Sequence, residues 1–129
     1  MEIKKQKHFP YLNNYRQKFP IDDNTIFVFE DTVYTNNKMS YDIVAHEFHH
    51  LIQQSRIGAK EWINRYLEDK DFRLEQEIDA YKEQLSVVRK MNDRQEYAHI
   101  LAECGRNLSS PLYGNLITYQ EAIKILKDS

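Results

Sequence analysis

A chain of 129 residues, 41% hydrophobic and 29% charged, has the make-up of a folded globular protein with one sizeable core and excludes a disordered one. Its net charge of −2 and pI near 6.2 give no reason to expect nucleic acid or a membrane surface as a partner. Cys104 is the single cysteine, so no internal disulfide can form; with no apolar leader and no run of membrane-spanning length, the expected location is the cytoplasm.

The Lys4-Lys5-x-Lys7-His8 cluster is short and reads as a solvated tail. Tyr11, Tyr15 and Phe19 recur every four residues, which predicts a short helix ending before Pro20. Asp22-Asp23-Asn24 is a turn signal, and the β-branched and aromatic run Thr25 to Glu30 reads as a strand. Thr32 to Thr35 either extends that strand or pairs with it across a tight turn at Glu30-Asp31. The next helix opens at Ser40, a good N-cap, with Asp42 near the positive end of its dipole and Gly58 suited to the C′ position. Its apolar residues Tyr41, Val44, Phe48, Leu51 and Ile52 form one stripe, expected to face the core. His46 and His50 fall on the opposite side with Gln53 in line, and Ile43 and Ile57 flank them, so that side is expected to be covered too.

Beyond Gly58, Lys60 to about Leu67 reads as a short helix carrying Trp62, Ile63 and Tyr66. Asp71 is the expected cap of a helix from Phe72 to about Met91, with the stripe Leu74, Ile78, Tyr81, Leu85 and Val88. Asp93 with Glu96 forms a capping-box pattern before Tyr97, Ile100, Leu101 and Cys104; on that stripe Cys104 is a buried structural thiol rather than a nucleophile. Leu108 to Asn115 is a loop by composition, and Thr118 with Glu121 opens a last helix through Lys127. The reading is a single α+β domain over 1–129, mostly helical, with one small β element ahead of the histidine-bearing helix.

That helix carries His46-Glu47-x-x-His50. Residues four apart stand one above the other on a helix, so two imidazoles can converge on one zinc ion per chain. Glu47, one step round from His46, can reach a water at the metal without being a ligand. A hydrolytic zinc site normally has three protein ligands and one open position. The residues after His50 lack H-x-x-G-x-x-H, so the third ligand is sought on the following helix, in Leu74-Glu75-Gln76-Glu77-Ile78-Asp79-Ala80-Tyr81. From the centre of that helix's stripe Glu77 lies about 60° away, Glu75 about 100° and Asp79 about 140°. Glu77 is therefore favoured, with Ala80 one turn on allowing close approach. Glu75 and Asp79 are expected on a solvated face, and His49 has no assigned role.

His46-Glu47-Phe48-His49-His50-Leu51-Ile52-Gln53 followed by Glu77-Ile78-Asp79-Ala80-Tyr81 resembles the gluzincin metallopeptidases, especially the minimal zincins of phages and prophages. The resemblance spans roughly residues 25 to 85. It implies a zincin-like fold, Glu77 as third ligand, and the Thr25–Thr35 segment at the edge of a cleft where an extended peptide pairs. It also implies a peptide or protein substrate, a repressor or another phage or host protein. The thermolysin-like pattern E-x-x-x-D, met by Glu75 and Asp79, is the competing alignment. Larger gluzincins use a further domain to supply a histidine or tyrosine to the oxyanion; here Tyr113, in Ser-Pro-x-Tyr-Gly-Asn, is the candidate.

The expected function is a zinc-dependent peptidase: His46, His50 and Glu77 hold the metal and Glu47 is the general base. Two other classes stand beside it. Glu47-x-x-His50 and Glu96-x-x-His99 are two E-x-x-H pairs, as ferritin-like di-iron proteins require. A zinc-binding regulatory or interaction protein that kept a peptidase fold is the other.

Overall fold

The computed structural model describes residues 1–127. Three short strands, β1 (Glu2–Lys4), β2 (Phe27–Phe29) and β3 (Thr32–Tyr34), form a sheet in the order β1-β3-β2. β2 and β3 are antiparallel, with Val28 opposite Val33, so Thr32–Tyr34 turns back on the first strand instead of extending it. Glu30 makes that turn possible with φ 58°, the left-handed region that tight hairpin connections use.

β1 pairs parallel to β3, which corrects the reading of the lysine-rich N-terminus as a solvated tail. Its side chains are exposed; the backbone holds it, for instance through the Thr35 N–H donating to the Lys4 carbonyl at 2.8 Å. A strand with no buried face shows no apolar alternation, so nothing in its pattern announces it. Gln6, next in the chain, is buried and donates its Nε2 hydrogens to the Asp22 and Thr25 carbonyls, each at 2.8 Å.

Among the described residues there are six α-helices: α1 (Leu12–Arg16), α2 (Tyr41–Ile57), α3 (Ala59–Glu68), α4 (Lys70–Lys90), α5 (Arg94–Leu108) and α6 (Tyr119–Leu126). Gly58, at φ 95°, makes the break between α2 and α3, a conformation that suits the residue without a Cβ. The cap of α4 is Asp69, whose carboxylate accepts from the Asp71 and Phe72 N–H groups; Asp71, the expected cap, lies inside the first turn. Asp93 caps α5 by accepting from Gln95 and Glu96, and Thr118 with Glu121 forms the complete reciprocal box of α6. A 3-10 turn, Pro111–Tyr113, occupies the middle of the Leu108–Asn115 loop.

α4 is the central helix, packed against α2, α3, α5 and α6. Ile63, Leu85, Val88, Cys104, Leu108 and Leu126 are wholly buried, and Phe9, Tyr15, Phe19 and Phe27 extend this core toward the sheet. Burial pushes the Cys104 thiol up to about 12, which leaves it an inert packing group. Among the described residues no helix is long and apolar enough to cross a membrane.

Two faces differ from expectation. On α4 the buried face is Arg73, Glu77, Ala80, Tyr81, Gln84, Leu85 and Val88, rotated so that Leu74 and Ile78 are only half-buried. On α2 the histidine side is covered, as expected, but the apolar stripe is largely not. Tyr41 and Phe48 of the apolar stripe are 47% and 49% exposed, whereas Asp42, His46, Glu47, His50, Gln53 and Gln54 are buried. Of that stripe only Leu51 is fully covered, in a small cluster with Val28 and Val33. Burying polar groups without partners costs several kcal/mol each, roughly 2–7 by transfer scales, so such a face is stable only if every group is bonded. Those wholly shut off from solvent all are: among the described residues no such side-chain nitrogen or oxygen lacks a hydrogen bond, and the Glu47 carboxylate, which has none, opens onto a cavity.

Candidate metal centre

The buried polar face of α2 meets the face of α4 that carries Glu77, Tyr81 and Gln84. His46, Glu47 and His50 each offer a ligand atom, and these atoms lie within 4.8 Å of one another. Spacing accounts for this: positions 46 and 50 are one turn apart, and their rings meet edge to face at 4.8 Å between centroids.

Glu77 enters the same point from α4. Its Oε1 is 3.1 Å from His46 Nε2 and 3.2 Å from His50 Nε2, and the two Nε2 atoms are 3.2 Å apart. Three potential ligand atoms thus form a nearly equilateral triangle. Zinc bound at about 2.0–2.1 Å in tetrahedral geometry holds its ligand atoms about 3.3–3.4 Å apart, so the triangle matches one face of such a polyhedron to within a few tenths of an ångström. Two imidazoles and a carboxylate are also the donor types zinc takes, and the residues fit the ion. The other oxygen of Glu77, Oε2, accepts from the Tyr66 hydroxyl of α3 at 2.5 Å. Glu77 is 3% exposed, while Glu75 and Asp79 lie on the solvent face of α4.

Glu47 is buried beside this triangle, yet among the described residues its carboxylate makes no hydrogen bond. It lines a cavity of about 440 Å³ whose walls also include His46, His50, Glu77 and Tyr113, with Thr25 to Val28 along the sheet side. Burial raises the Glu47 carboxyl above its ordinary range; His46 and His50 oppose that, and Glu77 reinforces it. Tyr113 is buried and shares a 2.7 Å hydrogen bond with the Tyr81 hydroxyl, whose ring lies edge-on to His46 at 4.3 Å. Burial and then the Glu77 charge hold the Tyr66, Tyr81 and Tyr113 phenols well above their ordinary value, so all three keep their hydroxyl protons.

In the metal-free protein His50 and Glu77 form a buried ion pair. Burial alone lowers the His50 imidazole, but the adjacent Glu77 carboxylate outweighs it and pushes His50 up to about 9. Burial likewise opposes the charged form of Glu77, and His50 with His46 holds it well below the usual carboxylate range. A group raised in the fold contributes stability that is complete below its unfolded value, about 6.5 for histidine, and is lost as pH rises through its folded value. The melting temperature of chelator-treated protein should therefore fall between pH 6.5 and about 9, and saturating zinc should remove the decline, since a coordinated imidazole has lost that proton. Calorimetry over this range checks it; a flat profile without metal would count against the pair.

The structure brings together four of the five residues singled out from sequence, His46, Glu47, His50 and Glu77, and sets the fifth, Tyr113, in the wall of the same cavity. The second E-x-x-H pair is not brought in: His99 is exposed on α5 and pairs with Glu103 at 3.0 Å. Among the described residues the metal-capable side chains cluster at His46, Glu47 and His50, where Glu77 joins them. His49 is half-buried beside them, and burial lowers its imidazole. Sequence reasoning missed Tyr66, Gln84 and Asp42. Their signal was available only in part: Asp42 lies one turn before His46, and Gln84 two turns after Glu77, so each shares a helix face with a site residue.

No family model, curated protein or solved structure matches this chain, and what the centre can do is read from its own atoms.

Proposed function

We propose that this chain is a zinc-dependent peptidase in which His46, His50 and Glu77 hold one Zn²⁺ and Glu47 is the general base. The observation that carries the reading is the 3.1–3.2 Å triangle of His46 Nε2, His50 Nε2 and Glu77 Oε1, buried at a cavity wall beside an unbonded Glu47 carboxylate. Bound there, zinc supplies Lewis acidity, polarising a carbonyl and lowering the pKa of water toward neutrality.

Glu47 takes a proton from the attacking water as its oxygen adds to the scissile carbonyl carbon. It returns that proton to the leaving nitrogen as the C–N bond breaks. Its raised pKa suits both halves of the task, because a carboxyl closer to neutrality is a stronger base and still a competent acid. Tyr113, kept protonated, is the proposed hydrogen-bond donor to the oxygen that gains negative charge. Tyr66 restrains the far oxygen of Glu77 and so leaves Oε1 directed at the two histidines. An intracellular peptidase of the minimal gluzincin type, acting on a phage or host protein, is the proposed setting.

Measured metal content should be one zinc per chain, and cleavage of a proteome-derived peptide library should vanish on chelation and return with zinc. Two irons per chain, or no metal bound at all, would overturn the reading.

β2 is the proposed docking edge. It is an outer strand of the sheet and borders the cavity. The Val28 carbonyl accepts from Gln54 Nε2 at 2.9 Å, so the Val28 peptide groups face away from β3, whereas Phe27 pairs with Tyr34 within the sheet. Proline at 28 then removes a donor that points away from β3, and proline at 27 removes one inside the sheet. Val28→Pro should fold, with some loss of stability, and show a KM raised several-fold at nearly unchanged kcat; Phe27→Pro should lose the sheet, read by circular dichroism. Unchanged kinetics in a folded Val28→Pro protein would exclude the edge from substrate binding.

A further inference from the structure

Each candidate zinc ligand on α2 touches a glutamine through its other ring nitrogen. His46 Nδ1 is 3.1 Å from Gln84 Oε1, and His50 Nδ1 is 2.8 Å from Gln53 Oε1. A carboxamide presents either an oxygen or an NH₂ group to a neighbour, so these contacts do not by themselves say which ring nitrogen carries hydrogen. The far ends of the two glutamines do say so. Gln84 Nε2 donates to Asp42 Oδ2 at 2.8 Å, and Gln53 Nε2 donates to the Gln76 carbonyl at 3.0 Å. A carboxylate and a backbone carbonyl only accept, and turning either amide over would set oxygen against oxygen in a buried site. Both amide oxygens are thereby committed to the rings. Both Nδ1 atoms must carry hydrogen to satisfy them.

From this we infer that Asp42, acting through Gln84, is a positioning residue that fixes His46 in the Nδ1–H tautomer and directs the Nε2 lone pair at the metal point; Gln53 does the same for His50. The inference rests on the zinc reading above. Its layout follows from the helix repeat: Asp42 stands one turn before His46 on the same buried face of α2, and one glutamine from α4 spans that turn. Asp42 is itself held, its Oδ1 accepting from the Ser40 hydroxyl at 2.6 Å. The hydroxyl of the residue ahead of α2 is thus spent on this relay, and makes no cap bond to the helix backbone. The groups that face the two rings on their Nδ1 sides are neutral amides, so they set direction without adding charge to the ligand.

The variant that isolates the relay is Asp42→Asn, which changes one atom of a residue that touches neither histidine. Asparagine can present oxygen or NH₂ to Gln84, so the amide is no longer committed, and the His46 Nε2–H tautomer becomes accessible. In zinc-free protein, ¹H–¹⁵N imidazole spectra should show a hydrogen-bonded His46 Nδ1–H in the natural chain that exchanges with solvent several-fold faster in Asp42→Asn. Zinc affinity, measured by competition with a chromophoric chelator, should fall about 10-fold, within the range typical of groups that orient a ligand. Gln84→Met should lower it similarly, and Asp42→Asn should add little on top of Gln84→Met, because the two act in series. An unchanged His46 Nδ1–H exchange rate with unchanged zinc affinity in folded Asp42→Asn overturns the relay and leaves the zinc reading intact. If the natural chain binds no zinc, the zinc reading fails, and the Nδ1–H exchange still decides the relay.

Discussion

Glu47→Gln should keep its zinc and its melting temperature while peptidase activity falls by several orders of magnitude. The substitution is nearly isosteric, and Glu47 makes no hydrogen bond among the described residues that the amide would forfeit. General base catalysis by a positioned side chain is worth about 10²–10⁴ in rate, and Glu77, the other carboxylate at the two histidines, has one oxygen on Tyr66 and the other between the imidazoles. No spare base stands beside it. Because burial raises the Glu47 carboxyl, neutralising it should stabilise the metal-free fold slightly if it changes stability at all. The decisive comparison is kcat/KM for a peptide found in the library screen, with zinc content measured on the same samples. Cleavage at the natural rate by a zinc-loaded Glu47→Gln protein would remove Glu47 from the mechanism and leave the metal centre untouched.

Glu77→Ala should weaken zinc binding far more than Glu75→Ala. Glu77 Oε1 lies 3.1 Å and 3.2 Å from the two histidine Nε2 atoms, and its removal leaves two imidazoles, a poor zinc site. Glu75 is exposed on α4 and should change affinity by less than the roughly 10–100-fold seen for groups that merely orient a ligand. Glu77→Ala also takes away the acceptor of the Tyr66 hydroxyl and the partner of a buried His50, so the metal-free protein should lose stability as well. Chelator competition on both variants, with thermal melts, separates the two effects. Equal zinc affinities for the two variants, or a larger loss from Glu75→Ala, would return the thermolysin-like pairing of Glu75 and Asp79 to consideration.

Much of this centre is legible in the order of the residues. His46 and His50 converge because a helix repeats every 3.6 residues, and any stable helix over Tyr41–Ile57 must bring them to one side. The choice of Glu77 over Glu75 follows from the same repeat, since the face of α4 bearing Tyr81, Leu85 and Val88 carries residue 77 with it. Turn and cap chemistry likewise acts within a few residues: Gly58 ends α2, Thr118 and Glu121 open α6, and Glu30-Asp31 folds β2 onto β3.

What sequence could not decide was how deeply each side of α2 is buried. Hydrophobic patterning made Tyr41 and Phe48 the expected core and, through Ile43 and Ile57, the histidine side a second covered face. The tertiary structure buries the polar side the more deeply because α4 and the sheet supply its partners. Gln84 reaches His46 and Asp42, Glu77 reaches both histidines, and Gln54 bonds the Val28 carbonyl and the Glu30 N–H along β2. A polar group stops paying for its desolvation once it is bonded, and those bonds join residues 24 to 42 positions apart. β1 escapes sequence patterning for a related reason, since it is held by backbone bonds to β3 while its side chains stay in solvent. The sequence by itself thus determined the identity and spacing of the groups that converge at the centre. Only the packed chain decided that this polar face is buried more deeply than the apolar stripe, because its long-range bonding partners come together only in the folded protein.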